Sequence, residues 1–354
     1  MGDIRLTEKV ECIRAGKKTV SELLHAMGRT AYQGRRLAEA TATWEAMLRA
    51  DGLTIVMGFA GSMSTAGQWE LVNWLIDNRF IDVLVSTGAN VSEDIVDAMG
   101  PGYWQGSPDA DNAALLQEDL NRYYDVYGKE TDYREMELLL TEFTLTLDPR
   151  AVYSSMEVLY RLGGFLGARG VRSIATLAAE RGVPVFCPAL ADSAFGEAFL
   201  MARNRGHRIV VDQVRDFEQF VGIGEMSQDI GVVYLGGGVP KDYTQLLAIS
   251  LSPMAGDEAV AGREGFLRKG LQEYYYPHRY AVQITTDAPQ WGGLSGCTLE
   301  EAVSWGKVAG DGRHVTCYCD ATIALPLIVH ALQERVPAPR RGRDLSKLFA
   351  DAPA

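Results

Sequence analysis

A lysine two positions after a tryptophan, behind a short acidic helix, is where chemistry is easiest to place in this chain. The segment reads Thr298-Leu-Glu300-Glu301-Ala-Val-Ser304-Trp305-Gly306-Lys307. Thr298 and Glu301 have capping-box spacing, so a short helix starts there, and Gly306 ends it. Glu301 and Trp305 are four residues apart and share a face. Lys307 then projects just past the helix end. An aromatic wall beside a lysine restricts water and favours the neutral amine, the nucleophile of imine chemistry. The same spacing also describes a solvent-facing lysine at a helix end, with Trp305 as ordinary core.

A second set of candidates sits where apolar runs stop. In open α/β sheets, ligands bind outside the carboxyl ends of the strands. The first run ends in Gly58-Phe-Ala-Gly61-Ser62-Met-Ser64-Thr65-Ala-Gly67 and leads into a helix. Small residues let a backbone approach a ligand, and free amides at a helix start favour phosphate. The second run ends in Ser86-Thr87-Gly88-Ala89-Asn90, with Glu93 and Asp94 opening the next helix. The fifth ends in Gly236-Gly237-Gly238-Val-Pro-Lys241-Asp242, and the last in Cys319-Asp320-Ala321-Thr322. None is a formal nucleotide fingerprint, and each alone is a tight turn. Four on one sheet edge point to a nucleotide-type pocket whose ligand these residues do not specify.

Metal chemistry is not indicated. The histidines (His25, His207, His278, His314, His330) form no i,i+4 pair, and Cys317-x-Cys319 is too tight for zinc spacing. Strand alternation puts both sulfurs on one sheet face, as core or pocket lining. Five scattered cysteines without a leader read as reduced thiols, hence a cytoplasmic protein. Met1-Gly2-Asp3-Ile4-Arg5 lacks the apolar stretch of a secretory signal and the myristoylation pattern.

The elements that must position these residues follow from the pattern. Thr19–Leu24 is expected to open a helix, and Gly34 to Ala50 to give a second one. Seven apolar runs then alternate with helical stretches: Leu53–Met57, Ile81–Val85, Pro184–Cys187, Arg208–Val211, Gly231–Leu235, Tyr280–Thr285 and His314–Cys319. Most are apolar on both faces, as strands between two helix layers must be. The expectation is an α/β fold with a doubly wound, mostly parallel sheet, residues 1–50 forming a helical N-terminal extension to the α/β part at 51–354, one domain overall. Gly100 to Lys129 breaks the rhythm and reads as an irregular insertion. Arg150 to Gly182 returns to helix. Of 354 residues, 34 are Lys or Arg and 46 Asp or Glu, a net charge of −12, so neither nucleic acid nor a membrane is an expected partner.

Glu301-Ala-Val-Ser-Trp305-Gly-Lys307 resembles the catalytic-lysine segment of the deoxyhypusine synthase family. Ile81–Thr87, Pro184-Val-Phe-Cys-Pro-Ala-Leu-Ala-Asp192, Leu235-Gly-Gly-Gly-Val-Pro-Lys241 and Tyr318-Cys-Asp320-Ala look like its other blocks, in the same order. The resemblance implies a Rossmann-like fold, NAD as cofactor, and a homotetramer with active sites between paired subunits. It implies transfer of an aminobutyl group from a polyamine through a lysine imine, with Lys307 as the nucleophile. Trp305, Glu301, Glu197 and Asp242 would meet the substrate; Glu197 stands where the family has an aspartate. NAD contacts would come from Gly61, Ser62, Thr65, Thr87, Gly88, Glu93, Asp192, Gly237, Gly238, Thr286, Ser295 and Asp320.

Two departures bear on the substrate. Asp242 occupies a position where deoxyhypusine synthases carry a histidine. Their Asp-Gly-Ser-Asp-Ser-Gly run reads Trp291-Gly292-Gly293-Leu294-Ser295-Gly296 here, so two carboxylates become Trp291 and Leu294. A small acceptor amine, as in homospermidine synthases of the same family, is therefore expected ahead of a lysine on an initiation factor. A non-catalytic NAD- or polyamine-binding protein is the reading from another class.

Overall fold

The computed structural model describes residues 8–254 and 276–350. Met1 to Arg5, read above for a leader, lie outside the described residues.

Helix α1 (Val20–Gly28) starts at Thr19, whose side chain accepts from the Glu22 amide while Glu22 reaches back to the Thr19 amide. Helix α2 (Tyr32–Arg49) covers β-strands at one edge of the sheet and buries Trp44 and Met47 completely. Strand β1 (Leu53–Phe59), α3 (Trp69–Asp77), β2 (Val83–Ser86) and α4 (Asn90–Ala98) follow in strict alternation. The chain then leaves the main sheet for β3 (Trp104–Gln105), α5 (Asn112–Gln117), β4 (Leu120–Tyr123) and β5 (Val126–Lys129). It returns through α6 (Glu130–Thr144), β6 (Val152–Tyr153), α7 (Ser155–Gly167), α8 (Ile174–Arg181), β7 (Val185–Phe186), α9 (Ala194–Asn204), β8 (Val210–Val211) and α10 (Gln213–Glu225). Strand β9 (Asp229–Leu235), α11 (Gly238–Met254), β10 (His278–Thr285), α12 (Leu299–Ser304), β11 (Val308–Tyr318), α13 (Ala321–Arg335) and α14 (Lys347–Ala350) complete the order.

The main sheet has the order β11-β10-β9-β1-β2-β7, and every pairing is parallel. Strand alternation explains why its sequences are apolar throughout. In β9, Val233 and Leu235 enter the core on one face, whereas Val232 and Tyr234 enter the core on the other. Strand β1 does the same with Ile55 and Met57 against Val56. The chain order reverses between β1 and β9, which places the switch point of a doubly wound sheet between the loops that follow them.

Two expectations are corrected. Arg208–Val211 is not a main-sheet strand: only Val210 and Val211 are extended, and they pair with Val152 and Tyr153 in a separate two-stranded sheet. The run is short and ends at Asp212, whose carboxylate caps α10, so little length remains for a ladder. Gly100 to Lys129 is not irregular. It folds as a three-stranded antiparallel sheet in the order β3-β5-β4, with the short α5 beside it. Cys317 and Cys319 pack on the same apolar core as expected, although β11 itself ends at Tyr318. Cys317 is fully buried there, and Cys319 also lines a cavity.

Strand β11 also carries a register shift. His278 lies opposite Val308, but Tyr280 lies opposite Arg313, so residues 309–312 bulge out of the ladder. A side chain at Gly312 would collide with the Arg279 carbonyl at 2.6 Å.

Candidate functional site

One cavity opens at the carboxyl edge and a second lies beside it between α11 and α12, and both are lined by the loop after β10. The first, of about 480 Å³, lies at the switch point and is lined by Gly61, Ser62, Gly237, Gly238, Thr286, Ser295 and Asp320 among others. Gly61, Gly236 and Gly238 have φ of 85°, 72° and 57°, values that favour glycine. Gly237 is required for a different reason: a Cβ there would lie 2.4 Å from Ser295 Cα. That close approach lets the Gly238 amide donate to Ser295 Oγ at 3.1 Å, tying the start of α11 to the loop. Asp320 caps α13, accepting from the Thr322 amide at 2.8 Å.

The remaining candidates attach to this cradle from outside. Ser62 Oγ is 2.6 Å from Thr65 Oγ1 and 3.5 Å from Glu93 Oε2. Burial pushes the Glu93 carboxyl up to about 7, against hydrogen bonds from Tyr133 and Ser62 that favour the anion. Thr87 Oγ1 accepts from Asn90 Nδ2 at 3.1 Å, and the same amide donates to the Gly61 carbonyl at 2.7 Å. Gly88 packs against the loop after β7, where a Cβ would meet Ser193 Oγ at 2.3 Å. Asp192, on that loop, is exposed.

The second cavity, of about 390 Å³, brings Lys307, Trp305, Glu301 and Asp242 together with Lys241, Leu294 and Cys297. Lys307 stands immediately before β11, its carbonyl held by the His278 amide at 3.0 Å. Its side chain is only 12% exposed. Lys307 Nζ lies 2.9 Å from Asp242 Oδ1 and 5.6 Å from the Trp305 ring centroid. A carboxylate thus stands within hydrogen-bonding distance of the amine inside the aromatic-walled pocket. Trp305 is 59% exposed, so the indole forms an outer wall and not core. Thr298 Oγ1 accepts from the Glu301 amide at 3.0 Å, but the Glu301 carboxylate turns to the Cys297 thiol instead of completing a capping box. Leu294 lines this cavity, whereas Trp291 is 76% exposed outside it.

Glu197 lines neither cavity. It is exposed on α9 and shares a hydrogen bond with Glu137 of α6. Burial first, then that contact, pushes the Glu137 carboxyl up to about 7.

Several residues here were given no role by the sequence reading. Lys241 is buried, and its Nζ donates to Gln283 Oε1 at 3.0 Å, to the Leu294 carbonyl at 3.2 Å and to the Cys297 carbonyl. Loss of water pushes this amine down to about 8. Gln283 Nε2 in turn donates to the Ser295 carbonyl at 2.8 Å and the Gly236 carbonyl at 3.1 Å. One buried Lys–Gln pair therefore fixes the wall between the two cavities. The polar Gln283 inside the apolar run Tyr280–Thr285 was the available signal. Asn90, Tyr133 and Glu137 gave none beyond residue type. Among the described residues no group of three His, Cys, Asp or Glu could hold a metal ion, and no helix is long and apolar enough to cross a membrane.

The family model "Deoxyhypusine synthase" matches residues 22–332. "Probable deoxyhypusine synthase 2" of Archaeoglobus fulgidus is 43% identical over 306 residues, 86% of this chain and 95% of that protein. The protein of the same name from Methanosarcina mazei is 41% identical over 92% of this chain and 89% of its own length. A "Deoxyhypusine synthase-like protein" of Chlorobaculum parvum is 33% identical over 91% and 89%. A crystal structure described as a deoxyhypusine synthase from Entamoeba histolytica has the same fold, with a TM-score of 0.61 at 20% identity, covering 92% of this chain and 98% of that one. The matched span takes in both the glycine cradle and the lysine cavity, and the chain belongs to the deoxyhypusine synthase family.

Proposed function

We propose that this chain is an NAD-dependent transferase that moves an aminobutyl group from a polyamine, through an imine on Lys307, to a small acceptor amine. The observation that carries the reading is the Lys307–Asp242 pair at 2.9 Å inside a cavity walled by Trp305 and bordered by Glu301. The cradle suits a dinucleotide: Gly61, Gly236 and Gly238 give its backbone three left-handed turns without side chains, and the start of α11 borders it. Gly61, Ser62, Gly237, Gly238, Thr286, Ser295 and Asp320 would hold NAD directly. Thr65, Thr87, Gly88, Glu93 and Asp192 would act at its margin. Bound there, NAD supplies the two-electron oxidation of an amine to an imine and the return reduction.

The chain's own residues do the rest. Glu301 receives a substrate ammonium, and Trp305 covers the alkyl chain. Asp242 takes a proton from Lys307 Nζ, whose lone pair then attacks the imine carbon of the oxidised donor. The C–N bond to the departing amine breaks as that amine takes up a proton, leaving the four-carbon fragment on Lys307. An acceptor amine attacks the same carbon, and the C–N bond to Lys307 breaks in turn. Leu294 leaves the cavity with apolar walls away from Glu301 and Asp242, which supports a slender alkylamine as acceptor. The relatives' names favour a second reading, a protein lysine as acceptor.

Assembly as a homotetramer, with Lys307 of one subunit serving the cradle of another, belongs to the same proposal. It is supported by membership of the deoxyhypusine synthase family. Purified protein with NAD and spermidine or putrescine is expected to give a new polyamine by chromatography. Borohydride is expected to trap an adduct on Lys307. Adduct formation undiminished in Lys307→Ala would remove this lysine from the reaction. Product formed only with a lysine-bearing protein acceptor would replace the first reading by the second.

A further inference from the structure

The lysine cavity changes character along α11. Asp242, Gln245, Leu246 and Ile249 line it from that helix. Their spacing puts all four on one helical face, so the cavity is a slot that follows the helix. A rise of about 1.5 Å per residue sets Ile249 about 10 Å beyond Asp242. Leu294 and Ala302, before and on α12, line the slot as well. Leu246 and Ile249 are half-buried and Leu294 is 46% exposed. None of the three belongs to the core on either face of the sheet, so their open carbon is the slot's own surface.

The charges in the slot cancel. Lys241, Asp242, Glu301 and Lys307 supply two amines and two carboxylates. Asp242 Oδ1 meets Lys307 Nζ at 2.9 Å, and Lys241 Nζ is taken up by Gln283 and two carbonyls. Among the described lining residues, Glu301 is the one carboxylate left for an ammonium. Once the four-carbon fragment sits on Lys307, its terminal ammonium occupies Glu301, and Asp242 faces the reacting nitrogen. What remains for the acceptor's far end is the neutral amide of Gln245 and then Leu246, Ile249 and Leu294. A second ammonium placed there would lose its water and meet no counter-charge, a loss that alkyl contacts do not offset.

Resting on the transferase reading above, we propose that the acceptor is a primary monoamine with a straight alkyl tail, its nitrogen beside Asp242 and its tail along Leu246 and Ile249. That nitrogen bonds to the four-carbon fragment as the bond to Lys307 breaks. The hydride removed from the donor returns to the same carbon, so no further reductant enters. The product is a secondary amine with one arm ending in an ammonium and one apolar arm.

The test is competition between acceptors on the full chain, with NAD and spermidine as donor and products separated by mass. Butylamine and putrescine share one carbon chain and differ in the far ammonium. Wild type should transfer to butylamine at least about tenfold faster than to putrescine. Hexylamine should exceed butylamine roughly tenfold, since two more methylenes are buried. Ile249→Asp and Leu294→Asp, each checked by thermal melting and NAD titration, should shift the ratio toward putrescine at least about tenfold. Equal or faster transfer to putrescine in wild type would overturn the inference, as would a ratio unmoved in both folded variants. Transfer to a protein lysine alone would overturn the acceptor class and spare the Lys307 chemistry. No product from any acceptor would sink the transferase reading itself, and is told apart by appearing with every amine.

Discussion

Asp242 and Lys307 come from segments 65 residues apart, and each meets the other with its only polar tip. Removing the acceptor oxygen should therefore impair proton transfer without touching the cradle. Asp242→Asn is expected to lower turnover by about 10²-fold, the usual scale of one general base, while NAD affinity stays within about twofold. Steady-state kinetics and NAD titration on the same sample check this; equal losses in both would move Asp242 to the cofactor side. Beneath the lysine, buried His278 behaves differently. Loss of water pushes its imidazole down to about 4, from an ordinary value of 6.5. The unfolded chain takes up a proton below 6.5 that the folded chain refuses until about 4, so this residue costs stability as pH falls through that window. The raised carboxyls of Glu93 and Asp94, both near 7, slope the opposite way. A comparison isolates the histidine: His278→Phe should lose less stability than wild type between pH 6.5 and pH 4.5 in urea unfolding.

At the level of elements, the cradle depends on two loops interlocking at a point with no room for a methyl group. Gly237→Ala is expected to weaken NAD binding at least about tenfold and to cost about 1–3 kcal/mol, since Ser295 must move and the Gly238–Ser295 bond with it. Gly222→Ala, in α10 with open space around it, should instead raise stability by about 0.5–1 kcal/mol. Equal melting temperatures for the two variants would show that the interlock has no energetic weight. The same contrast explains what could be read from sequence. Strands β1, β9 and β10 are apolar on both faces, so their burial and the loops at their ends were legible, as was the helix opening at Thr19. The lysine segment was legible because Glu301, Trp305 and Lys307 are local. Val210–Val211 was misplaced because a short apolar run does not say which sheet it joins. The antiparallel sheet within 100–129 was hidden by its glycines and short strands. Tyr133 and Glu137 are one helical turn apart on α6, yet their partners lie 40 and 60 positions away, a pairing no local pattern encodes.

For the whole molecule, the separation of lysine cavity and cradle by one loop makes complementation the informative experiment. If Lys307 serves the cradle of a paired subunit, Lys307→Ala and Gly237→Ala proteins, each inactive alone, should regain activity when mixed and reassembled. Random pairing would restore about one quarter of wild-type turnover, because half the pairs are mixed and each holds one intact site. No recovery, with mixed oligomers demonstrated by mass, would place both halves of the site in one subunit. The bulge in β11 has its own consequence. Lys307 is anchored through His278, upstream of residues 309–312, while register resumes only at Arg313. The amine's location is therefore insulated from the downstream stretch of this border strand. Residues could be added or lost at the bulge during divergence, or a reporter peptide spliced in by design, while the nucleophile kept its address.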